Sequence, residues 1–247
     1  LGGQELRTAP GTLGDPLRAI SLLPGVAAPL PLLPMFAVRG AAPGMTGFFL
    51  DGMRLPQLFH VFSGAAVVHG ALIEGIDFLP GAYDASLGRL AGGVVSARTR
   101  PAGEGQHGEG ELRLFDASAM AVLSLGRHVH VVAGGRYGYP GPIVQAVDPR
   151  VSVSYWDYYL RIEVRGLSLL AMGSHDAIGI SRSLVEGDFN GLSVNDTRLG
   201  FHRLQLRYAG RRGPFSGEAA AVAGIDEQST FDGRGVRKLA IGARASG

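Results

Sequence analysis

Cysteine is absent from the 247 residues, which excludes disulfides and thiolate metal sites. Lysine is nearly absent as well, Lys238 being the single example. Arginine therefore carries the positive charge, a habit we attribute to GC-rich coding rather than to phosphate binding. The net charge is only +2 and its basic residues are spread along the chain, so no nucleic-acid partner is expected. Charged residues are scarce at 18% and aromatics make up 8%, yet the mean hydropathy is only +0.17. Such a chain buries a core; it is neither disordered nor a bundle of membrane helices. Residues 19–38 hold no charge and are long enough for a spanning helix. Four prolines, Pro24, Pro29, Pro31 and Pro34, forbid a continuous helix there. The amino terminus, Leu-Gly-Gly-Gln, has neither the basic and apolar regions of a signal peptide nor an initiator Met, and the chain reads as a piece of a longer protein.

Glycine, by contrast, is abundant at 39 residues. In residues 1–102 it punctuates short elements. Asp15-Pro16 is a helix start, with Asp as N-cap and Pro in the first turn. Leu17, Ile20 and Leu23 share a helical face that Pro24-Gly25 ends. Strands are expected at 35–39, 47–55, 76–79 and 94–98, with helical turns near 71–74 and 84–87. Asp51-Gly52 is a type I′ hairpin signal between apolar flanks. Gly40, Gly81, Gly92 and Gly93 read as turn or close-packing positions.

Residues 109–247 alternate with period two. Tyr158, Leu160, Ile162 and Val164 point one way; Tyr159, Arg161 and Glu163 point the other. Leu204, Leu206 and Tyr208 likewise oppose Arg203, Gln205 and Arg207. Eight strands are predicted, at 109–115, 119–125, 128–138, 153–164, 167–177, 199–208, 215–225 and 236–245. Connections near 126–127, 165–166 and 209–214 are short, and those near 139–152, 178–198 and 226–235 are longer. Sorting of this kind suits a membrane barrel with short inner turns and long outer loops. The alternation alone also suits a soluble sheet with one wet face. Tyr155, Trp156, Tyr158 and Tyr159 form a candidate interfacial aromatic girdle.

Catalytic motifs are not evident. Residues 103–108, Gly-Glu-Gly-Gln-His-Gly, match GxGxxG, but the predicted strand beyond them leaves no helix for a dinucleotide site, and they read as a linker. No P-loop or GxSxG elbow is present. His128 and His130 share a strand face without a third ligand, and they read as ordinary strand residues. Asp188, Asn190, Asn195 and Asp196 cluster in a polar loop that lacks EF-hand spacing. His175 and Asp176 lie beside Ser174, an adjacency that does not make a triad. Neither an enzyme, a metal site nor a cofactor is expected.

Five pieces occur in order between residues 23 and 95: Leu23-Pro24-Gly25-Val26, Val38-Arg39-Gly40, Phe49 to Met53, Ile73 to Gly81, and Gly88 to Val95. In order and spacing they resemble the plug domain of the TonB-dependent outer-membrane receptors. The fold implied is an α+β plug (residues 1–102), a linker (103–108) and antiparallel transmembrane β-barrel strands (109–247) of an incomplete barrel. Plugged transporters have about 22 strands, so about 14 more are expected elsewhere. The resemblance implies energised uptake of a scarce solute, such as an iron chelate or vitamin, at the outer membrane of a Gram-negative bacterium. Implied partners are the TonB–ExbB–ExbD energy-coupling complex, through a segment absent here, a small chelate ligand and outer-membrane lipid. Arg39 and Arg89 are implied plug–barrel contacts, and Pro24, Gly25, Gly40, Asp51, Gly52, Gly81, Gly92 and Gly93 belong to the plug motif. Pro43, Met45, Gln57 and His60, in loops between strands, are the ligand-loop candidates. The rival expectation is a non-transporting β-rich surface binding or adhesion module with a plug-like domain.

Overall fold

The computed structural model of the protein describes residues 12, 15–27, 36–60, 65–88, 90–101, 105–181, 194–229 and 234–246. The chain divides into two units, 1–103 and 104–247.

In the first unit, Asp15 caps a 3-10 helix, Pro16–Leu22, by accepting from the Leu17 N–H at 3.0 Å. Its second carboxylate oxygen accepts from the Ala66 N–H at 2.9 Å, which ties the helix start to a segment 51 residues away. Leu17, Ala19 and Ile20 are buried, whereas Leu22 is exposed. Strands β1 (Val26–Ala27) and β2 (Ala37–Val38) pair antiparallel. Strands β3 (Gly47–Leu50) and β4 (Met53–Leu55) form the expected hairpin. Its turn residues Asp51 and Gly52 have φ of 47° and 73°, the left-handed pair of a type I′ turn. A 3-10 turn, Gly70–Leu72, leads into β5 (Ile73–Leu79), which stops at Pro80-Gly81. A second, Ala85–Leu87, is capped by Asp84, and β6 (Val94–Thr99) follows. The sheet order is β4-β3-β6-β5, with β3 parallel to β6 and the other pairs antiparallel. Leu50, Leu55, Ile73, Ile76, Val94 and Ala97 are among its buried residues.

The helical segments differ from expectation. Among the described residues this unit holds only 3-10 turns. Prolines and glycines leave Gly70–Leu72 and Ala85–Leu87 three residues each, the usual length of a 3-10 turn, whereas Pro16–Leu22, at seven, is longer than usual for this geometry.

The second unit is one eight-stranded sheet of order β14-β13-β12-β11-β10-β9-β8-β7. Its strands are β7 (His107–Leu112), β8 (Asp116–Ser124), β9 (Val129–Gly138), β10 (Val151–Val164), β11 (Leu167–Ser181), β12 (Val194–Arg212), β13 (Phe215–Ser229) and β14 (Gly235–Ser246). All pairs are antiparallel between sequence neighbours. Among the described residues β7 and β14 are not paired with each other, so the sheet does not close into a barrel. Strands β9 to β14 are 10 to 19 residues long, enough to cross a bilayer at a tilt.

The tight connections fall at 125–128, 165–166 and 213–214; the third is shorter than the expected 209–214 because β12 runs on to Arg212. At the opposite end lies 139–150, which contains helix α1 (Gly141–Val147); β11 ends and β12 begins at this end, at Ser181 and Val194, as do β13 and β14 at Ser229 and Gly235. Strands β11, β12 and β13 run past their expected bounds there, so the expected connections 178–198 and 226–235 are narrowed from both sides. The sheet's first turn, 113–115, is a short one at this same end, where a single strand over 109–115 was expected. The Tyr139 hydroxyl holds it by donating to the Arg113 carbonyl at 2.6 Å. Strand β7 also begins at His107, inside the stretch read as linker.

Candidate functional site

Burial in the eight-stranded sheet departs from that of a soluble sheet: its buried face mixes charges with apolar residues such as Leu170, Met172 and Phe201, and its exposed face is largely apolar. Along β10, Tyr155, Asp157, Tyr159 and Arg161 are buried, whereas Trp156, Leu160 and Val164 are exposed. In β12, Arg203 and Gln205 are 5% and 3% exposed, while Leu204 and Leu206 are 48% and 47% exposed. Charges almost never occupy a buried face unless paired, and water would not select an apolar outer face.

The buried charges are paired. The Arg136 guanidinium lies 4.0 Å from Asp116 and 3.7 Å from Asp157, one cation between two carboxylates on flanking strands. The Tyr155 hydroxyl donates to Asp116 Oδ2 at 2.8 Å and to the Phe115 carbonyl at 3.3 Å. Tyr155 and Asp116 lie two strands apart, on either side of Gly138. A Cβ on Gly138 would come within 2.3 Å of the Tyr155 ring. Farther along the same face, Arg161 pairs with Glu163 at 2.6 Å and donates to Ser168 at 3.2 Å. Arg203 pairs with Asp226 at 2.6 Å and lies 5.5 Å from the Phe201 ring centre. Glu218 accepts from Arg207 at 2.6 Å and from Arg244 at 2.8 Å. Of these ion pairs, all but Arg161–Glu163, which lies within β10, link neighbouring strands; none of them forms a nucleophile–base pair.

The exposed face has its own order. Trp156 stacks on Tyr158 and His175, with ring centres 6.2 and 5.6 Å apart. Tyr158 reaches across Gly173 to His202, its hydroxyl 3.0 Å from the imidazole Nδ1. Of the expected girdle, therefore, Trp156 and Tyr158 lie on this face, while Tyr155 and Tyr159 are buried on the other.

Two carboxylates in connections have lowered pKa values. Asp148, after α1, is held at about 2, first by hydrogen bonds from the Arg150 side chain (2.8 and 2.7 Å) and then by one from the Arg150 backbone (3.0 Å). Asp84 is lowered by the backbone hydrogen bond from Ser86, at 2.8 Å.

The residues singled out in the first unit are scattered. Arg39 is exposed, in the left-handed region at φ 49°, with its guanidinium beside Gly81. Arg89 lies outside the described residues. Pro24 and Gly25 follow the first 3-10 helix, and Gly40 follows Arg39 in the turn from Val38 to Ala41. Gly92 and Gly93 leave no room for a side chain: a Cβ would lie 2.9 Å from the Met45 carbonyl and 2.9 Å from Val38, respectively. Pro43 and Met45 share a 3-10 turn in which Met45 is exposed. Gln57 is half-buried, whereas His60 is fully buried and so occupies the core rather than a loop surface. His60 lies there because its N–H donates to the Ala65 carbonyl at 2.8 Å, next to the Phe59–Ala66 bridge.

Other sequence candidates separate as well. His128 is exposed in a turn, while His130, in β9, lies 3.1 Å from the Ser124 hydroxyl. Strand alternation puts His175 on the face opposite Ser174 and Asp176. Asp188 and Asn190 fall outside the described residues, and Asn195 and Asp196 belong to the start of β12. Sequence reasoning missed the Asp116–Arg136–Asp157–Tyr155 cluster. The signal available was the run of alternating polar positions in β8, β9 and β10, which becomes a cluster only once register is known.

The fold is TonB-dependent-receptor-like. Similar solved structures include the ferric enterobactin receptor of Pseudomonas aeruginosa in complex with enterobactin (TM-score 0.62, 15% identity, covering 99% of this chain and 45% of that one). The siderophore receptor PirA of Acinetobacter baumannii is also similar (TM-score 0.58, 15% identity, 99% and 43%). The chain thus spans less than half the length of these receptors. No protein-family model and no curated protein matches the sequence.

Proposed function

We propose that this chain is part of a TonB-dependent outer-membrane receptor that takes up a scarce solute in an energised step. Residues 1–102 serve as its plug and 109–247 as the first eight strands of its barrel. The observation that carries the proposal is the sheet's two faces, arginine–carboxylate pairs among the buried residues of one and exposed leucines on the other. Lipid makes that arrangement favourable; water does not. The tight turns then lie on the periplasmic side and α1 lies on the outer side.

The solute is a small metal chelate, by analogy with the siderophore receptors of similar fold. It binds outer loops and the plug apex, where Pro43, Met45 and Gln57 are the candidate contacts. Arg39 and Arg89 hold the plug reversibly, and the TonB–ExbB–ExbD complex pulls on a segment outside residues 1–247. Transport proceeds by conformational change, without covalent chemistry.

The test is uptake of radiolabelled ferric chelates by cells with and without the gene. Loss of uptake of one chelate, in energised cells only, supports the proposal. Equal uptake of every chelate by both strains defeats it.

A further inference from the structure

We infer that the inner face of β12–β14, at its tight-turn end, holds an exit subsite for the anionic group of the transported solute, which makes that solute an anionic chelate. The inference rests on the receptor function and the orientation proposed above. Strand alternation puts Arg211 on the face of Arg203 and Arg207, opposite Leu206 and Tyr208. Register sets Ser216 across from Arg211, and Glu218 across from both Ala209 and Ser246. These five residues, with Gly210 and Gly217, line an open cleft of about 530 Å³. Ala209, with a single methyl, keeps its floor low.

Charge decides the occupant. Glu218, the carboxylate of the cleft, is already neutralised: it accepts from Arg207 at 2.6 Å and from Arg244 at 2.8 Å. Arg211 is exposed and forms no ion pair among the described residues. The Arg207 Nε–H, beside Glu218, is buried without an acceptor among them. Arg127 and Arg165, in the other two tight turns, are exposed and likewise form no ion pair among the described residues. Residues 123–130, 163–168, 207–218 and 242–247 make up this end. They hold six arginines against two glutamates, a net +4 in a chain whose total is +2, so positive charge gathers here. A free guanidinium flanked by the Ser216 and Ser246 hydroxyls matches the oxygens of a carboxylate or phosphate group. A lipid headgroup would approach the other face, where Leu206 and Tyr208 are exposed at 47% and 56%. The inner face is reached by a solute in the lumen.

The test gives cells carrying the full-length receptor three radiolabelled chelates: ferric enterobactin and ferric citrate, both anionic, and ferrichrome, which is neutral. The expected result is gene-dependent uptake of an anionic chelate and not of ferrichrome. Arg211→Glu should lower the maximal uptake rate of that chelate about tenfold in energised cells, whereas Arg211→Lys should keep most of it. Binding to de-energised cells, which reads the outer site, should be unchanged in both variants. Ser216→Asp pairs the guanidinium instead of replacing it and should act in the same direction as Arg211→Glu, which keeps the inference testable if that variant fails to insert. Gene-dependent uptake of ferrichrome alone overturns the inference. So does a wild-type uptake rate in Arg211→Glu, or loss of binding and uptake in the same proportion, which would mark a structural role. If uptake of no chelate depends on the gene, the receptor reading itself fails and the inference falls with it.

Discussion

Tyr155 and Asp116 are joined by a 2.8 Å hydrogen bond that spans an intervening strand, passing over Gly138. Both side chains are buried, and the tyrosine ring occupies the space that a side chain on Gly138 would take. The bond exists because the middle strand offers no Cβ at that point.

Gly138→Ala should therefore displace the ring and destabilise the full-length protein by about 1–3 kcal/mol, as overpacking does. Gly242→Ala is the control, since a Cβ there meets nothing within 4 Å. Chemical unfolding in detergent compares the two. Equal midpoints would show that the ring does not need the gap.

Tyr155→Phe keeps the ring and removes the donor to a charged acceptor, a loss of about 1.5–3 kcal/mol. The same unfolding assay reads it. A cost no larger than that of an exposed substitution, such as Tyr137→Phe, would mean the hydroxyl contributes little.

Arg136→Gln leaves Asp116 and Asp157 buried without their shared cation, and breaking such a pairing costs about 3–5 kcal/mol. Replacing Asp157 with Asn in the same chain should recover part of the loss. A thermal-unfolding cycle of the two single variants and the double measures the coupling; additive effects would refute it.

Leu204 lies in the middle rows of the exposed apolar face. Leu204→Arg should cost about 2–4 kcal/mol in a bilayer and reduce membrane-inserted protein. On a water-facing surface the change would be nearly neutral, so unchanged insertion would contradict the lipid-facing assignment.

The Asp148 carboxyl has a native pKa of about 2, below its ordinary value of 3.8. A depressed native value means its contribution to holding the connection after α1 is present above about pH 4 and is lost as pH falls toward 2. NMR titration of the side-chain carboxyl should find this midpoint, and Arg150→Ala should raise it toward 3.8. An unmoved midpoint in that variant would exclude Arg150 as the cause.

Strand positions were legible because period-two alternation persists through 109–247, as in Tyr158 to Val164. Which face turns outward was not legible, since Leu204 and Arg203 alternate identically in a soluble sheet and in a barrel. The Asp51-Gly52 turn could be read from two adjacent residues. The second bond of Asp15, to the Ala66 N–H, could not, because it joins segments that meet only after folding. The turn at 113–115 was missed for a related reason: Leu112, Leu114 and Phe115 look strand-like, and only the Tyr139 hydroxyl explains where the chain reverses. His60 reads as a loop residue because its neighbours carry no regular pattern, although its backbone bonds draw it into the core.

Strand β10 sends two tyrosines over neighbouring glycines, Tyr155 on one face toward β8 and Tyr158 on the other toward β12. If β9 slipped by two residues, Tyr155 would meet Arg136 or Pro140 instead of an empty position. If β11 slipped likewise, Tyr158 would lie over Ala171 or His175. One strand thus acts as a gauge for four others, rejecting misaligned hairpins on both sides while the sheet is being assembled.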